Sequence, residues 1–300
     1  MLEKLACAMR LRDDLRKTGT NALRIVDGAG DGIGDIAVDD FAGRWLVETR
    51  GGNFPEWLKN ATPPKCLYWK KLGEKNPPEW IAGEKLSEPF EVSENDVKYW
   101  IDFNAGYSQG IFLDQRDNRA ALRKISHGKK VLNCFAYTCA FGVSAALGGA
   151  ATVNLDLSKH ILEWGKRNYA LNGMDQQQHD FIYGDVRDWL KRFSKKGRFF
   201  DIILLDPPTF SRNEKGEVFT VESDFGTRVS EATAILNPGG TLFCSTNQRS
   251  ISPADFRRMV CDGLKNVRDW KISAAAMPSD FRAESYLKAL WLRRASVSVA

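Results

Sequence analysis

The sequence predicts an α/β protein whose main domain is a largely parallel sheet, preceded by a smaller α+β domain. Three observations predict it. From Lys129 onward, apolar runs and helix-length segments alternate: VLNCF, FGVSAAL, TVNLD, HILEWGKRNYALNG, HDFIYGD, a basic helix to about Phe193, and FDIILLD. Strand, crossover helix and strand in that order is the signature of parallel pairing. A helix from about Asp224 to Leu236, the strand GTLFCST and two closing strands in KISAAAMPSD and SYLKALWLRR then bring the sheet to seven strands, the last two antiparallel. Residues 21 to about 103 have a different texture, with LRIVDG, GDIAVDDFAGRWLVETR and KCLYWKKL broken by glycine and proline turns. The expected division is an N-terminal helix over 1–20, a small α+β domain over 21–105 and the sheet domain over 106–300.

In chain order, residues 2 to 17 read as one amphipathic helix, with Leu2, Leu5, Ala6, Met9 and Leu15 on one side, ended by Thr18, Gly19 and Thr20. The GDGIGD segment, Gly30 to Asp35, has the look of a phosphate loop. Its acids, Asp31 and Asp35, would repel phosphate and no lysine follows, so it reads as a turn opening a hairpin. Trp57 and Leu58 mark a short helix, and FEVSENDVKYWIDF reads as a second hairpin around Glu94, Asn95 and Asp96. A helix from about Gln115 to Ile125 carries Arg116, Arg119, Arg123 and Lys124 into the first strand of the main sheet.

Composition narrows the function. A chain of 300 residues with 43% hydrophobic and 27% charged residues is an ordinary globular protein with a proper core. Six scattered cysteines without a C-x-x-C pair, and only three histidines, argue against a zinc site and a secreted disulfide framework, so no metal is expected. The first residues hold no apolar signal core and no window is long enough to span a membrane, which places the protein in the cytoplasm. A net charge of +5 is compatible with a polyanionic partner.

The stretch KKVLNCFAYTCAFGVSAALGGAATVNLD, Lys129 to Asp156, is a βαβ unit of the kind that binds a nucleotide-like cofactor over the first turn. The G-x-G-x-x-G that a pyrophosphate requires is missing: Asn133 to Cys139 contains no glycine. A cofactor with adenosine but no pyrophosphate suits such a turn, and S-adenosylmethionine is the expected one. Ligands of open parallel sheets lie over the carboxyl ends of the strands. Asn133 to Phe135, with Tyr137, would cradle the methionine part. Asp156 would take the ribose hydroxyls, followed by Leu157. Asp185 would accept from the adenine amino group and Val186 would cover the ring. At the fourth strand end, Asp206, Pro207, Pro208, Thr209 and Phe210 combine a carboxylate, a stiff extended backbone and a ring, a platform for a flat nucleobase. Methyl transfer from a sulfonium needs mainly alignment of the acceptor with the methyl carbon.

The segments FLDQRDNR, VLNCFAYTCAFGVSAA, LEWGKRNYALNG, LLDPPTFSR and GGTLFCSTNQRS resemble the bacterial 23S ribosomal RNA large-subunit methyltransferases, both the cytosine-C5 enzymes and the guanine-N7 domain of a bifunctional one. The resemblance runs from about Thr20 to the C-terminus. It implies a class I Rossmann-like methyltransferase fold, S-adenosylmethionine contacts at Asn133, Phe135, Asp156, Asp185 and Asp206, and Gln115 and Arg116 near the methionine end. Where the family's turn ends in glycine this chain has Cys139, and the PUA domain that often leads the cytosine enzymes is not expected here. Those enzymes add a cysteine thiolate to the ring. The position expected for it holds Asn247, while Cys244 lies inside the strand, so a base nitrogen, guanine favoured, is expected over cytosine C5. Asp206, Pro207, Pro208 and Phe210 are the catalytic candidates, with Thr209, Asn247 and Arg249 for substrate. RNA is the expected partner, with phosphate contacts from Arg187, Lys191, Arg192, Lys195, Lys196 and Arg198 and from Arg249, Arg257 and Arg258. A cytosine-C5 enzyme, a small-molecule methyltransferase and a non-catalytic cofactor- or RNA-binding module stay open as alternatives.

Overall fold

The structure is a computed structural model and describes residues 1–61, 64–74, 76–106, 108–212 and 218–295. The chain forms two compact units: Met1–Asp117 with Met277–Ser285, and Asn118–Ala276 with Tyr286–Ala300.

The first unit opens with α1 (Leu2–Arg10) and α2 (Asp13–Arg16). The single helix expected over residues 2 to 17 is therefore two. Arg12 is the reason: it is 1% exposed, its guanidinium is bidentate to Asp31 at 2.7 and 2.7 Å, and it also donates to the carbonyls of Ala8 and Asp280. A guanidinium turned inward onto buried acceptors overrides the helical continuity that local propensity favours. Asp31 thus anchors the unit from within the glycine-rich turn. A five-stranded sheet follows, of β1 (Ala22–Asp27), β2 (Ile36–Phe41), β3 (Arg44–Thr49), β4 (Cys66–Lys71) and β5 (Glu79–Gly83), paired in that order. Leu23, Ile25, Val38, Trp45, Val47 and Leu67 form its core with Leu5 and Ala8 of α1. The expected hairpin, of β6 (Phe90–Glu94) and β7 (Val97–Ile101), turns at Asn95 and Asp96, both left-handed, as a two-residue hairpin turn of this kind requires.

Helix α3 (Arg116–Ile125) leads into the second unit. There β8 (Lys130–Cys134), α4 (Ala140–Leu147), β9 (Ala151–Asp156), α5 (Lys159–Leu171), β10 (Asp180–Tyr183), α6 (Val186–Lys195) and β11 (Phe200–Leu205) follow the predicted alternation. Beyond them lie a small hairpin of β12 (Phe210–Arg212) and β13 (Val218–Thr220), then α7 (Val221–Thr233), β14 (Leu236–Thr246), α8 (Pro253–Asp262), β15 (Trp270–Ala275) and β16 (Lys288–Arg294). The seven-stranded sheet has the order β10-β9-β8-β11-β14-β16-β15, with β16 antiparallel to both neighbours. This is the expected Rossmann-like sheet with its closing antiparallel pair. Side chains alternate between its faces. Leu132, Ile203, Leu205, Leu242 and Cys244 enter one core with α6 and α7, while Val131, Ile202, Leu204 and Phe243 enter the other with α3 and α4. The chain runs outward from β8 through β9 to β10 and then returns to β11 on the far side of β8. That reversal opens a crevice above β8 and β11, where open sheets of this class bind ligands.

Helix α7 begins one turn earlier than expected at Asp224, because the Asp224 carboxylate accepts from the Thr220 amide at 3.0 Å and closes the helix start. The β12–β13 hairpin and α8 stand outside the alternation expected from the sequence.

Candidate active site

At the carboxyl end of β8 the chain makes a turn from Phe135 to Cys139 in which Phe135, Tyr137 and Cys139 all have positive φ, 58°, 50° and 61°. Each such residue without glycine costs about 1 kcal/mol or more and persists only where its surroundings hold it. Several bonds do so. The Ala136 amide donates to the Leu155 carbonyl at 3.0 Å, the Cys139 amide to Ala136 at 2.8 Å, and the Asn168 side chain to the Thr138 carbonyl at 2.9 Å. The Tyr137 amide donates to Asp156 Oδ2 at 2.8 Å, while Oδ1 accepts from the Ser158 amide at 2.9 Å. Asp156 therefore ties the turn after β8 to the start of α5. Burial pushes its carboxyl up from the usual range, against the amides of Tyr137, Ser158 and Leu157, which favour the ionised form.

Behind the turn lies a buried polar chain. Asn133 donates to Asn154 at 3.1 Å, Asn154 to the Tyr169 hydroxyl at 3.0 Å, and that hydroxyl meets Thr152 at 2.7 Å, which meets His179 at 3.0 Å. The side-chain amide of Asn133 thus faces this chain. Gly142 of α4 permits the approach, since a Cβ there would stand 2.0 Å from Asn154 Oδ1.

Cys139 is fully buried, and burial and then Asp156 raise its thiol well above the usual range. Its sulfur fits against Gly165 of α5, where a Cβ would stand 2.3 Å from Sγ. The cysteine and the facing glycine are complementary in volume. Gly165→Ala is expected to destabilise the protein by about 2 kcal/mol despite alanine's better helix propensity, and Cys139→Gly in the same chain to restore most of it. Urea melts of the two single variants and the double variant check this; simple additivity would refute the complementarity.

On the same side of the sheet, Asp185 caps α6 by accepting from the Arg187 amide at 2.8 Å, and the buried Val186 follows it. Leu157 is half-buried beside Asp156. Gly184, just before Asp185, donates its amide to the Asp156 carbonyl at 3.0 Å. The acids at the ends of β9 and β10 are thus held by the backbone next to the turn after β8.

Across β8, Asp206 follows the last residue of β11, and its Oδ1 accepts from Ser245 Oγ of β14 at 2.6 Å. The register Leu205 with Cys244 sets these two side by side. Pro207 is buried, Pro208 and Thr209 are exposed, and Phe210 begins β12, its side chain lying outside the described residues. Phe219 of β13 rests against Phe135, ring centroids 5.8 Å apart, so the hairpin reaches back to the turn after β8. Neither Ser245 nor Phe219 was singled out from the sequence. The order of strands would have found Ser245; the three-residue strands that carry Phe219 leave no periodicity to read. Asn247 and Arg249 are exposed after β14. Gln115 and Arg116 are buried in the first unit, and the Arg116 guanidinium binds the Asp280 carboxylate at 2.6 and 2.9 Å.

The arrangement fits an adenosine cofactor. Asp156 Oδ2 accepts from the Tyr137 amide and Oδ1 from the Ser158 amide, and the two oxygens together have acceptor capacity beyond these bonds for a hydroxyl. Among the described residues no cluster of histidine, cysteine or acid could hold a metal ion, and no helix is long and apolar enough to cross a membrane.

Comparison with known proteins agrees with this geometry. Residues 55–263 match the family model described as S-adenosylmethionine-dependent methyltransferase. Ribosomal RNA large subunit methyltransferase I of Aeromonas salmonicida is 33% identical over 90% of this chain and 72% of its own length. Ribosomal RNA large subunit methyltransferase K of Neisseria meningitidis is 31% identical over 89% of this chain and 79% of its own. Among solved structures, that of SMU.776 complexed with SAH superposes with a TM-score of 0.87 at 28% identity, covering 97% of this chain and 80% of that one. The chain therefore belongs to the S-adenosylmethionine-dependent methyltransferases, among relatives named as ribosomal RNA large subunit enzymes, and S-adenosylmethionine is its cofactor.

Proposed function

We propose that the protein methylates a base nitrogen, guanine favoured, of large-subunit ribosomal RNA, and so acts in the cytoplasm. The observation that carries this is the pairing of a fixed carboxylate, Asp206 on Ser245, with a buried Cys244. Asn133, Phe135, Tyr137, Asp156, Leu157, Asp185 and Val186 would hold the cofactor along the ends of β8, β9 and β10. When bound, S-adenosylmethionine supplies an electrophilic methyl group on a sulfonium. The chain's task is to present the acceptor atom in line. Pro207 and Pro208 stiffen the segment that carries Asp206, and Ser245 fixes the carboxylate's orientation. A guanine methylated at N7 gains positive charge as the bond forms, which the Asp206 carboxylate stabilises without any proton transfer.

Cytosine C5 requires a thiolate that attacks the ring. Cys244 is fully buried on the core face of β14, and burial raises its thiol well above the usual range, which speaks against that role. Asn247, exposed at the loop position, has no nucleophilic group. RNA as substrate is supported by the ribosomal relatives and by α6, where Arg187, Lys191 and Lys195 recur at i, i+4 and i+8 on the exposed face while Val186, Leu190 and Phe193 are buried.

Cys244→Ala is expected to retain methyl transfer to unmodified large-subunit ribosomal RNA within about threefold of wild type, since thiol and methyl are both small apolar groups in a core. Single-turnover transfer of labelled methyl measures it. Loss of transfer in a variant that still binds S-adenosylmethionine would restore the cytosine mechanism.

A further inference from the structure

We propose that the side-chain carbonyl of Gln248 and the carboxylate of Glu222 form an acceptor pair that recognises the N1–H and N2–H edge of the target guanine; this rests on the guanine reading above. The observation that carries it is a buried acceptor without a donor. Gln248 Oε1 is shut off from solvent and has no hydrogen-bond partner, one of two buried side-chain polar atoms so placed among the described residues, the other being Arg44 Nε of the first unit. An unpaired buried oxygen is costly, and folded chains rarely keep one.

The side-chain amide cannot turn to escape. Its nitrogen donates to the Glu222 carboxylate and, at 3.1 Å, to Ser250 Oγ, which engages both N–H groups. A carboxylate only accepts, so the nitrogen end must face Glu222 and the oxygen end is held away from it. The backbone beneath is fixed as well: the Gln248 amide donates to the Thr246 hydroxyl at 3.3 Å, and the Gln248 main-chain carbonyl accepts from the Ile251 amide at 3.3 Å and from the Lys288 ammonium. Glu222 is exposed in the first turn of α7, whose start Asp224 closes. Gln248 is half-buried between the exposed Asn247, Arg249 and Ser250, so its oxygen lies beneath loop side chains at the surface and not within the core.

Position selects the ligand. Strands β8, β11 and β14 are neighbours in that order, and Asp206 follows the middle one. Phe219 rests on Phe135 of the turn after β8, and three residues later Glu222 reaches Gln248 in the loop after β14. The acceptor pair therefore stands on one side of Asp206 and the cofactor turn on the other. Guanine is the base with two adjacent N–H donors, N1–H and N2–H, on the edge across the ring from N7. Held by that edge over Asp206, it turns N7 toward the cofactor. As N7 takes the methyl group and gains positive charge, N1–H and N2–H become stronger donors, so both bonds tighten in the transition state.

The test is a competition within one substrate, an unmodified large-subunit ribosomal RNA transcript in which a small random fraction of guanosine is replaced by inosine, which lacks the N2 amino group. Labelled methyl transfer, nuclease digestion and mass analysis compare the two bases at the methylated position, with S-adenosylmethionine affinity as the control for folding. Wild type is expected to methylate guanosine about 10-fold or more in preference to inosine, because inosine leaves the pair short of a donor. Gln248→Leu should lower kcat/KM on guanosine about 10-fold and bring the two bases within about threefold of each other. Glu222→Gln, which removes the charge that favours the cationic product, should lower kcat about 10-fold, and it decides the matter should Gln248→Leu fail to fold. Wild-type rate and selectivity in these variants, or a wild type that methylates inosine as readily as guanosine, would overturn the acceptor pair and leave the guanine reading standing. Label in cytidine, or none in RNA, would overturn the guanine reading and the pair with it.

Discussion

Asp156→Ala is expected to weaken S-adenosylmethionine binding by about 100-fold or more, the equivalent of about 3 kcal/mol lost from charge-assisted bonds. Two effects add. The carboxylate proposed to take the ribose hydroxyls is gone, and the Tyr137 and Ser158 amides lose the acceptor that joins the turn after β8 to α5. The left-handed Phe135, Tyr137 and Cys139 then lose one of the bonds that keep them strained. Asp156→Asn should fall between alanine and wild type, since its amide nitrogen must face one of the two N–H donors. Titration calorimetry checks the affinities, and thermal melting without cofactor separates binding from folding. An affinity within about threefold of wild type would remove Asp156 from the cofactor site.

Asp206→Ala is expected to lower kcat by about 10³, with cofactor affinity changed less than about tenfold, as removal of a preorganised charge beside the reacting atom does. Ser245 is fully buried, so the same variant leaves its hydroxyl without the carboxylate it now donates to. Ser245→Ala tests the orienting role separately and should cost about tenfold, because the carboxylate remains but is less firmly held. Single-turnover transfer with saturating cofactor measures both. Equal losses in kcat and in cofactor affinity would mean that Asp206 serves the cofactor and not the base.

The main sheet was legible because its strands are apolar runs flanked by helix-length segments, and because both faces are buried, which makes those runs almost continuously hydrophobic. The strand-end placement of Asp156, Asp185 and Asp206 was legible for a related reason: each ends or follows an apolar run of the parallel sheet, and the roles proposed for them rest on ligands of such sheets lying there. What stayed hidden depends on contacts distant in sequence. Nothing local to Arg12 announces that its guanidinium leaves the helix surface to bind Asp31, and nothing local to Met277–Ser285 announces that this segment joins the first unit. The backbone of the Phe135–Cys139 turn runs against propensity, since large side chains occupy conformations that favour glycine. By contrast, α8 carries a local start signal in its sequence, with the Ser252 hydroxyl accepting from the Asp255 amide and Pro253 in its first turn.

The most direct measurement is transfer of labelled methyl from S-adenosylmethionine to unmodified large-subunit ribosomal RNA, followed by digestion to nucleosides and mass analysis. The expected product is a methylguanosine carrying the label on a ring nitrogen, formed by wild type and by Cys244→Ala and lost in Asp206→Ala. Label in 5-methylcytidine, or no label in RNA while a small molecule is methylated, would contradict the proposed function.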